Sequence, residues 1–110
     1  MDISVSENNG LQVVVVTGEV DLSTSPQVRD ALLKELATGH GVIVDLSGVA
    51  YIDSSGVASL VEAFQTAKSK GQGFALAQVS ETPMRVLKLA RLDQVFVIYD
   101  SIEDAVSGLA

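Results

Sequence analysis

The chain has 110 residues, 47% of them hydrophobic and 19% charged, and its 14 acidic against 7 basic side chains give a formal net charge of −7. That length suits one domain over residues 1–110 and rules out a second folded module, while the composition lies far from that of disordered chains. Surface scaling gives about 16,700 Å² of accessible surface unfolded and about 5,800 Å² folded, so roughly 65% can be buried without disulfides.

The chain has no cysteine, which excludes a disulfide framework, a thiolate metal site and a cysteine nucleophile together. The acidic excess opposes binding to nucleic acid or to an anionic membrane surface and favours a protein partner with a basic patch. The start, Met1-Asp2-Ile3-Ser4, lacks the basic and apolar regions of a signal peptide. Apolar runs such as Val13–Val16 are far too short to cross a bilayer. No membrane insertion is expected, and a cytoplasmic location is.

In chain order, Leu11–Thr17 (LQVVVVT) is β-branched and bounded by Gly10 and Gly18, which predicts a strand buried on both faces. The preceding ISVSE is its hairpin partner across Asn8-Asn9-Gly10. Ser25 followed by Pro26 predicts an N-cap and first helical residue, with Val28, Ala31, Leu32 and Leu36 on one stripe and Gly39 at the end. Val42–Leu46 is a second buried strand. A second helix begins at Asp53-Ser54-Ser55-Gly56, carries Val57, Leu60, Val61 and Phe64 at i, i+3, i+4 and i+7, and stops at Lys70-Gly71. Phe74–Val79 reads as a strand. Thr82 and Pro83 open a third helix with Val86, Leu87 and Ala90 inward. Val95–Tyr99 is a last strand, and Ser101 caps a final helix with Ile102, Ala105, Val106 and Leu109 on its apolar stripe.

The order β-β-α-β-α-β-α-β-α predicts an α/β domain. Its mixed sheet is mostly parallel, begins with an antiparallel hairpin and packs with about four helices. Sites in such sheets lie at strand carboxyl ends, where helices begin. The DSSG stretch stands at such a place.

Enzyme chemistry finds little support among the residue types. The one histidine, His40, sits in a Gly39-His40-Gly41 turn, and the nucleophile-elbow pattern G-x-S-x-G is absent. No calcium loop, Walker-A loop or dinucleotide fingerprint occurs. No cofactor, no metal and no catalytic residue is expected. At the DSSG junction Asp53, Ser54 and Ser55 are all good N-cap types, so capping alone accounts for them. The junction also offers two hydroxyls at the positive end of a helix, where an anion can be held by free N–H groups.

Three stretches together resemble the anti-sigma factor antagonists, bacterial members of the STAS domain family. Thr17-Gly18-Glu19-Val20-Asp21 is similar to the family's strand-end G-E-[LV]-D. Val44-Asp45-Leu46-Ser47-Gly48-Val49, followed by Ile52-Asp53-Ser54-Ser55-Gly56-Val57, is similar to its signature, and Leu92–Tyr99 resembles its last strand.

The resemblance implies a STAS fold over nearly the whole chain and a non-enzymatic partner switch. The unphosphorylated domain binds an anti-sigma factor that is also a serine kinase, and a sigma factor is released. Phosphorylation of the serine after the signature aspartate breaks the complex, and a PP2C-type phosphatase reverses it. The matching residue is Ser54, with Ser55 as second choice. Asp21, Asp53, Ser55, Gly56 and Ser59 are the switch and partner-binding candidates, and the chain is expected as a monomer or weak dimer. The V-D-x-S-G core also resembles the STAS accessory subunit of a lipid-transport ABC system, bound to its permease.

Overall fold

The computed structural model describes residues 1–109 and contains a five-stranded sheet in the order β1-β2-β3-β4-β5. β1 (Asp2–Asn8) pairs antiparallel with β2 (Leu11–Val20), and Asn9 and Gly10 both take positive φ in the two-residue turn between them. β2, β3 (Val42–Ile52), β4 (Phe74–Ala77) and β5 (Ile98–Tyr99) are parallel. The connections are α1 (Ser25–Leu36), α2 (Ser54–Lys70) and α3 (Glu81–Leu89), and α4 (Ile102–Leu109) closes the chain. The folded surface is 5596 Å², close to the size expectation of about 5,800 Å².

Strand alternation divides the core into two layers. Val14, Val16, Val42, Val44, Leu46, Phe74 and Leu76 face the layer with Val28, Leu32 and Leu36 of α1, Leu60, Ala63 and Ala67 of α2, and Leu87 of α3. Leu11, Val13, Ile43 and Ala77 point the other way, onto Ala105 and Val106 of α4. β2 is covered on both faces, as its unbroken β-branched run requires.

The elements differ from the sequence expectation at their ends. β3 continues to Ile52 instead of stopping at Leu46. Ser47-Gly48 does not turn the chain, because two register shifts against β2, between Val15 and Thr17 and between Gly18 and Glu19, absorb extra residues of β3 as bulges. α1 has Thr24 at its N-cap, so Ser25 is its first residue, and the helix ends at Leu36, ahead of Gly39. β4 ends at Ala77 because Gln78 takes φ +54°, with its side chain donating to Asp45 Oδ2 at 2.9 Å.

α3 starts after Ser80, not at Thr82-Pro83. The Ser80 hydroxyl reaches back to the carbonyl oxygens of Leu46 (3.1 Å) and Val49 (2.5 Å), tying α3 to the bulged stretch of β3. Ala90 is exposed, leaving Leu87 as the fully buried residue of α3. The last strand shrinks to Ile98–Tyr99, since Leu92–Gln94 form a 3-10 turn that directs Phe96 inward. There it meets Phe64 edge-on at a centroid distance of 5.5 Å, with Phe74 alongside at 6.3 Å. α4 begins as expected, the Ser101 hydroxyl accepting from Asp104 N at 3.0 Å.

Candidate functional site

β2 and β3 are neighbours in the sheet, and their last residues, Val20 and Ile52, pair in register. The next residues, Asp21 and Asp53, therefore emerge side by side, and Asp53 N donates to Val20 O at 3.1 Å. Each aspartate starts a turn of the form D-x-S that leads into a helix. Asp21 Oδ1 accepts from Ser23 N (3.0 Å), Ser23 Oγ (2.7 Å) and Thr24 N (3.2 Å). Asp53 Oδ1 accepts from Ser55 N (2.9 Å), Ser55 Oγ (2.5 Å) and Gly56 N (3.3 Å). The two turns share this bonding but not its place: Asp53 is the N-cap of α2 and satisfies N–H groups of its first turn, whereas Asp21 closes the turn that leads to Thr24, the N-cap of α1.

These bonds hold both carboxyls below the usual carboxylate range. For Asp21 the Ser23 hydroxyl is the largest cause, partial desolvation opposes it, and the Ser23 and Thr24 amides add to it. For Asp53 the Ser55 hydroxyl dominates, desolvation again opposes, the Gly56 and Ser55 amides help, and the charge of Asp21 pushes back. At neutral pH the site carries two adjacent negative charges.

Within each turn the middle residue takes no part in capping and points outward. In the first turn this is Leu22, 79% exposed, and in the second it is Ser54, the exposed first residue of α2. Ser55 differs from its neighbour because its hydroxyl is already donated to Asp53. Gly56 is buried, and a Cβ there would meet Ile52 Cγ1 at 2.6 Å and Val20 Cγ1 at 2.8 Å, so its lack of a side chain lets α2 start close against both strand ends. Gly56 is a packing position and offers a partner no surface.

Ser59 also departs from the expectation of partner contact. It is buried, with its hydroxyl near the carbonyl oxygens of Ser25 (3.2 Å) and Ser55 (3.1 Å). On the same helix, the deepest residues are Gly56, Ser59, Leu60, Ala63 and Ala67, with Val57, Val61 and Phe64 flanking them partly buried. The small residues turn inward because α1 lies close. Two of the junction's N–H groups, those of Ser55 and Gly56, are not free for an anion either, since the Asp53 carboxylate already takes them.

Of two exposed residues next to the site, Leu22 was not singled out from sequence, and the sequence leaves Tyr51 open between core and contact. Leu22 follows Asp21, and the signal for it was the D-x-S pattern repeated at both strand ends. Tyr51, near the end of β3, is 47% exposed. His40 lies at the opposite end of β3, its Nδ1 at 2.8 Å from Thr38 Oγ1, far from the serines. Among the described residues no group of three or more His, Asp or Glu side chains converges as a metal site would require.

Residues 2–105 match the model of the STAS domain. The chain belongs to the STAS domain family. This STAS domain is 27% identical over 110 residues to the anti-sigma-F factor antagonist RsfB of Mycobacterium tuberculosis, covering 97% of this chain and 88% of that protein. It superposes on an anti-sigma factor antagonist from Mycobacterium paratuberculosis with a TM-score of 0.85 at 26% identity, covering 98% and 92% of the two chains. The Bacillus cell fate determinant SpoIIAA, solved in its phosphorylated form, shares the fold at a TM-score of 0.76 and 18% identity, over 99% and 100% of the chains. Within the STAS domain, two of the stretches that carry the resemblance in sequence, Thr17–Asp21 and Ile52–Val57, meet at the D-x-S turns that follow β2 and β3.

Proposed function

We propose that this STAS domain is an anti-sigma factor antagonist working as a partner switch. Unphosphorylated, it binds an anti-sigma factor that is also a serine kinase, and so frees a sigma factor. The observation that carries this reading is Ser54, exposed and outside the capping network, beside two ionised carboxylates. The kinase transfers the γ-phosphoryl group of ATP to Ser54 Oγ, releasing ADP and the hydroxyl proton. A PP2C-type phosphatase returns the hydroxyl with water and releases inorganic phosphate.

A phosphoserine adds about −1.5 to −2 charge at neutral pH. Because Asp53 already holds the N–H groups of Ser55 and Gly56, the new group meets two carboxylates where two of the helix-start donors are taken. A partner surface seated over Leu22 and Ser54 then meets three negative groups and a bulky substituent, and the complex dissociates while the capped helix stays folded. The names of the relatives support the same reading, as does the phosphorylated state of a protein sharing this fold. The domain acts by binding and carries out no turnover of its own.

The test joins peptide mapping to calorimetry with the cognate anti-sigma kinase. Phosphate is expected on Ser54 alone, Ser54→Ala is expected to bind like the native chain, and Ser54→Asp is expected to bind at least about tenfold more weakly. Since Ser54 is not the cap, Ser54→Ala should leave Tm within about 2 °C of the native value. Phosphate on Ser55 only, or equal affinity of the two variants, overturns the assignment. Co-purification with a membrane permease in place of a kinase moves the chain to the transporter-subunit role.

A further inference from the structure

Ser59 stands between the two turns that carry Leu22 and Ser54, and it is 7% exposed. A serine inside a helix commonly returns its proton to the carbonyl four residues back, and Ser59 does so with Ser55 O at 3.1 Å. Its single proton is shared with the carbonyl oxygen of Ser25, the first residue of α1, at 3.2 Å, so that the hydroxyl makes one three-centre bond to both carbonyls. It therefore touches the first residue of one helix and the first turn of the other. The first follows the turn closed by Asp21, and the second is the turn capped by Asp53.

A second tie between the same helices, the ion pair of Arg29 with Glu62, lies about one turn further along each helix, with both side chains nearly half exposed. Exposed pairs of this kind are screened and fix geometry weakly. The apolar contacts of the core are non-directional and tolerate small shifts of one helix along another. A buried hydroxyl bridging two backbone carbonyls is directional and short-ranged.

We infer that Ser59 is a positioning residue for partner binding, setting the spacing between the Leu22 turn and the Ser54 turn through the Ser25 and Ser55 carbonyls. The inference rests on the proposed function, in which one partner surface covers both turns. Two turns at a fixed spacing present Leu22 and Ser54 as one surface. Without the bridge each turn moves with its own helix, and the partner must restrain them on binding.

The experiment measures affinity for the anti-sigma kinase and Tm for the native chain, Ser59→Ala and Ala67→Gly. Ala67 is fully buried in the same helix, twelve residues and about 18 Å beyond Ser55, so its substitution loosens α2 without touching the bridge. Both variants are expected to melt below the native chain, but only Ser59→Ala should bind more weakly, by about three- to tenfold. Equal affinity of Ser59→Ala and the native chain overturns the inference, as does an equal loss in Ala67→Gly.

A second readout needs no partner. In the native background Ser54→Asp should shift the amide resonances of Ser23 and Thr24, and in the Ser59→Ala background that shift should fall to less than half. Undiminished transmission also overturns the inference. A native chain that binds no anti-sigma factor defeats the proposed function while the resonance comparison still decides the bridge.

Discussion

At the scale of single residues, the site consists of two aspartates that each do two things. Asp53 caps α2 and Asp21 closes the turn ahead of α1, and each places a negative charge next to the position where a phosphoryl group would arrive. The capping has a pH signature whose sign is set by the lowered carboxyl values of Asp21 and Asp53. A group that titrates lower in the folded state than in the unfolded one stabilises the fold above the unfolded value, and that contribution is lost as pH falls through the folded value. Tm followed by circular dichroism should therefore be level above about pH 5 and fall below about pH 4. Asp53→Asn keeps a good capping side chain but removes the charge, so its Tm should depend less steeply on pH in the acid range. An identical acid slope in the variant means that the Asp53 charge does not contribute. Asp53→Ala, which removes the cap itself, should lower Tm at neutral pH by about 4–8 °C.

Among the elements, α2 decides the site. It is anchored at one end by Asp53 and at the other by Gly71, whose φ of 69° gives a left-handed C-cap. Its buried face is made mostly of small residues, and Gly56 sits tightly on the strand ends, with no room for a methyl group against Ile52 and Val20. Gly56→Ala should cost about 1–3 kcal/mol, because the first turn must lift off the strand ends or those side chains must leave their rotamers. If the turn lifts, Ser54 moves with it, so phosphorylation by the kinase should slow even at temperatures where the variant is fully folded. A Gly56→Ala chain with native Tm and native phosphorylation rate contradicts the packing described for this junction. The bulges of β3 belong to the same arrangement. They lengthen β3 past the end of β4, and Ser80 ties the extension down through the carbonyls of Leu46 and Val49.

Over the whole molecule, a net charge of −7 spread on a surface of 5596 Å² would steer a partner with a basic patch toward the proposed complex. The association rate with the anti-sigma kinase, followed by stopped flow, should fall by about fivefold or more between 50 and 300 mM salt. Dissociation should change much less, since it is governed by contacts at the Leu22 and Ser54 turns. A salt-independent association rate shows that steering by net charge plays no part.

The amino-acid sequence determined the element order, the antiparallel start and parallel remainder of the sheet, and the position of the DSSG junction at a strand end, because hydrophobic period and turn residues are local signals. Asn9-Gly10 specifies its hairpin turn by φ alone, and the β-branched run Val13–Val16 requires cover on both faces wherever it lies. Element ends were less legible, since Ser47-Gly48 has the composition of a turn and becomes part of a bulged strand only because β2 lies alongside. Thr82-Pro83 likewise looks like a helix start, but the Ser80 hydroxyl is drawn back to β3 and the helix begins earlier. Which of Asp53, Ser54 and Ser55 caps, and which hydroxyl stands free, could not be read from three consecutive good cap types. It was decided by Asp53 taking the N–H groups of Ser55 and Gly56 together with the Ser55 hydroxyl. The adjacency of Asp21 and Asp53, 32 positions apart in the sequence, and the placing of Ser59 between their helices depend on strand register and helix packing. Those are long-range contacts that no local pattern encodes.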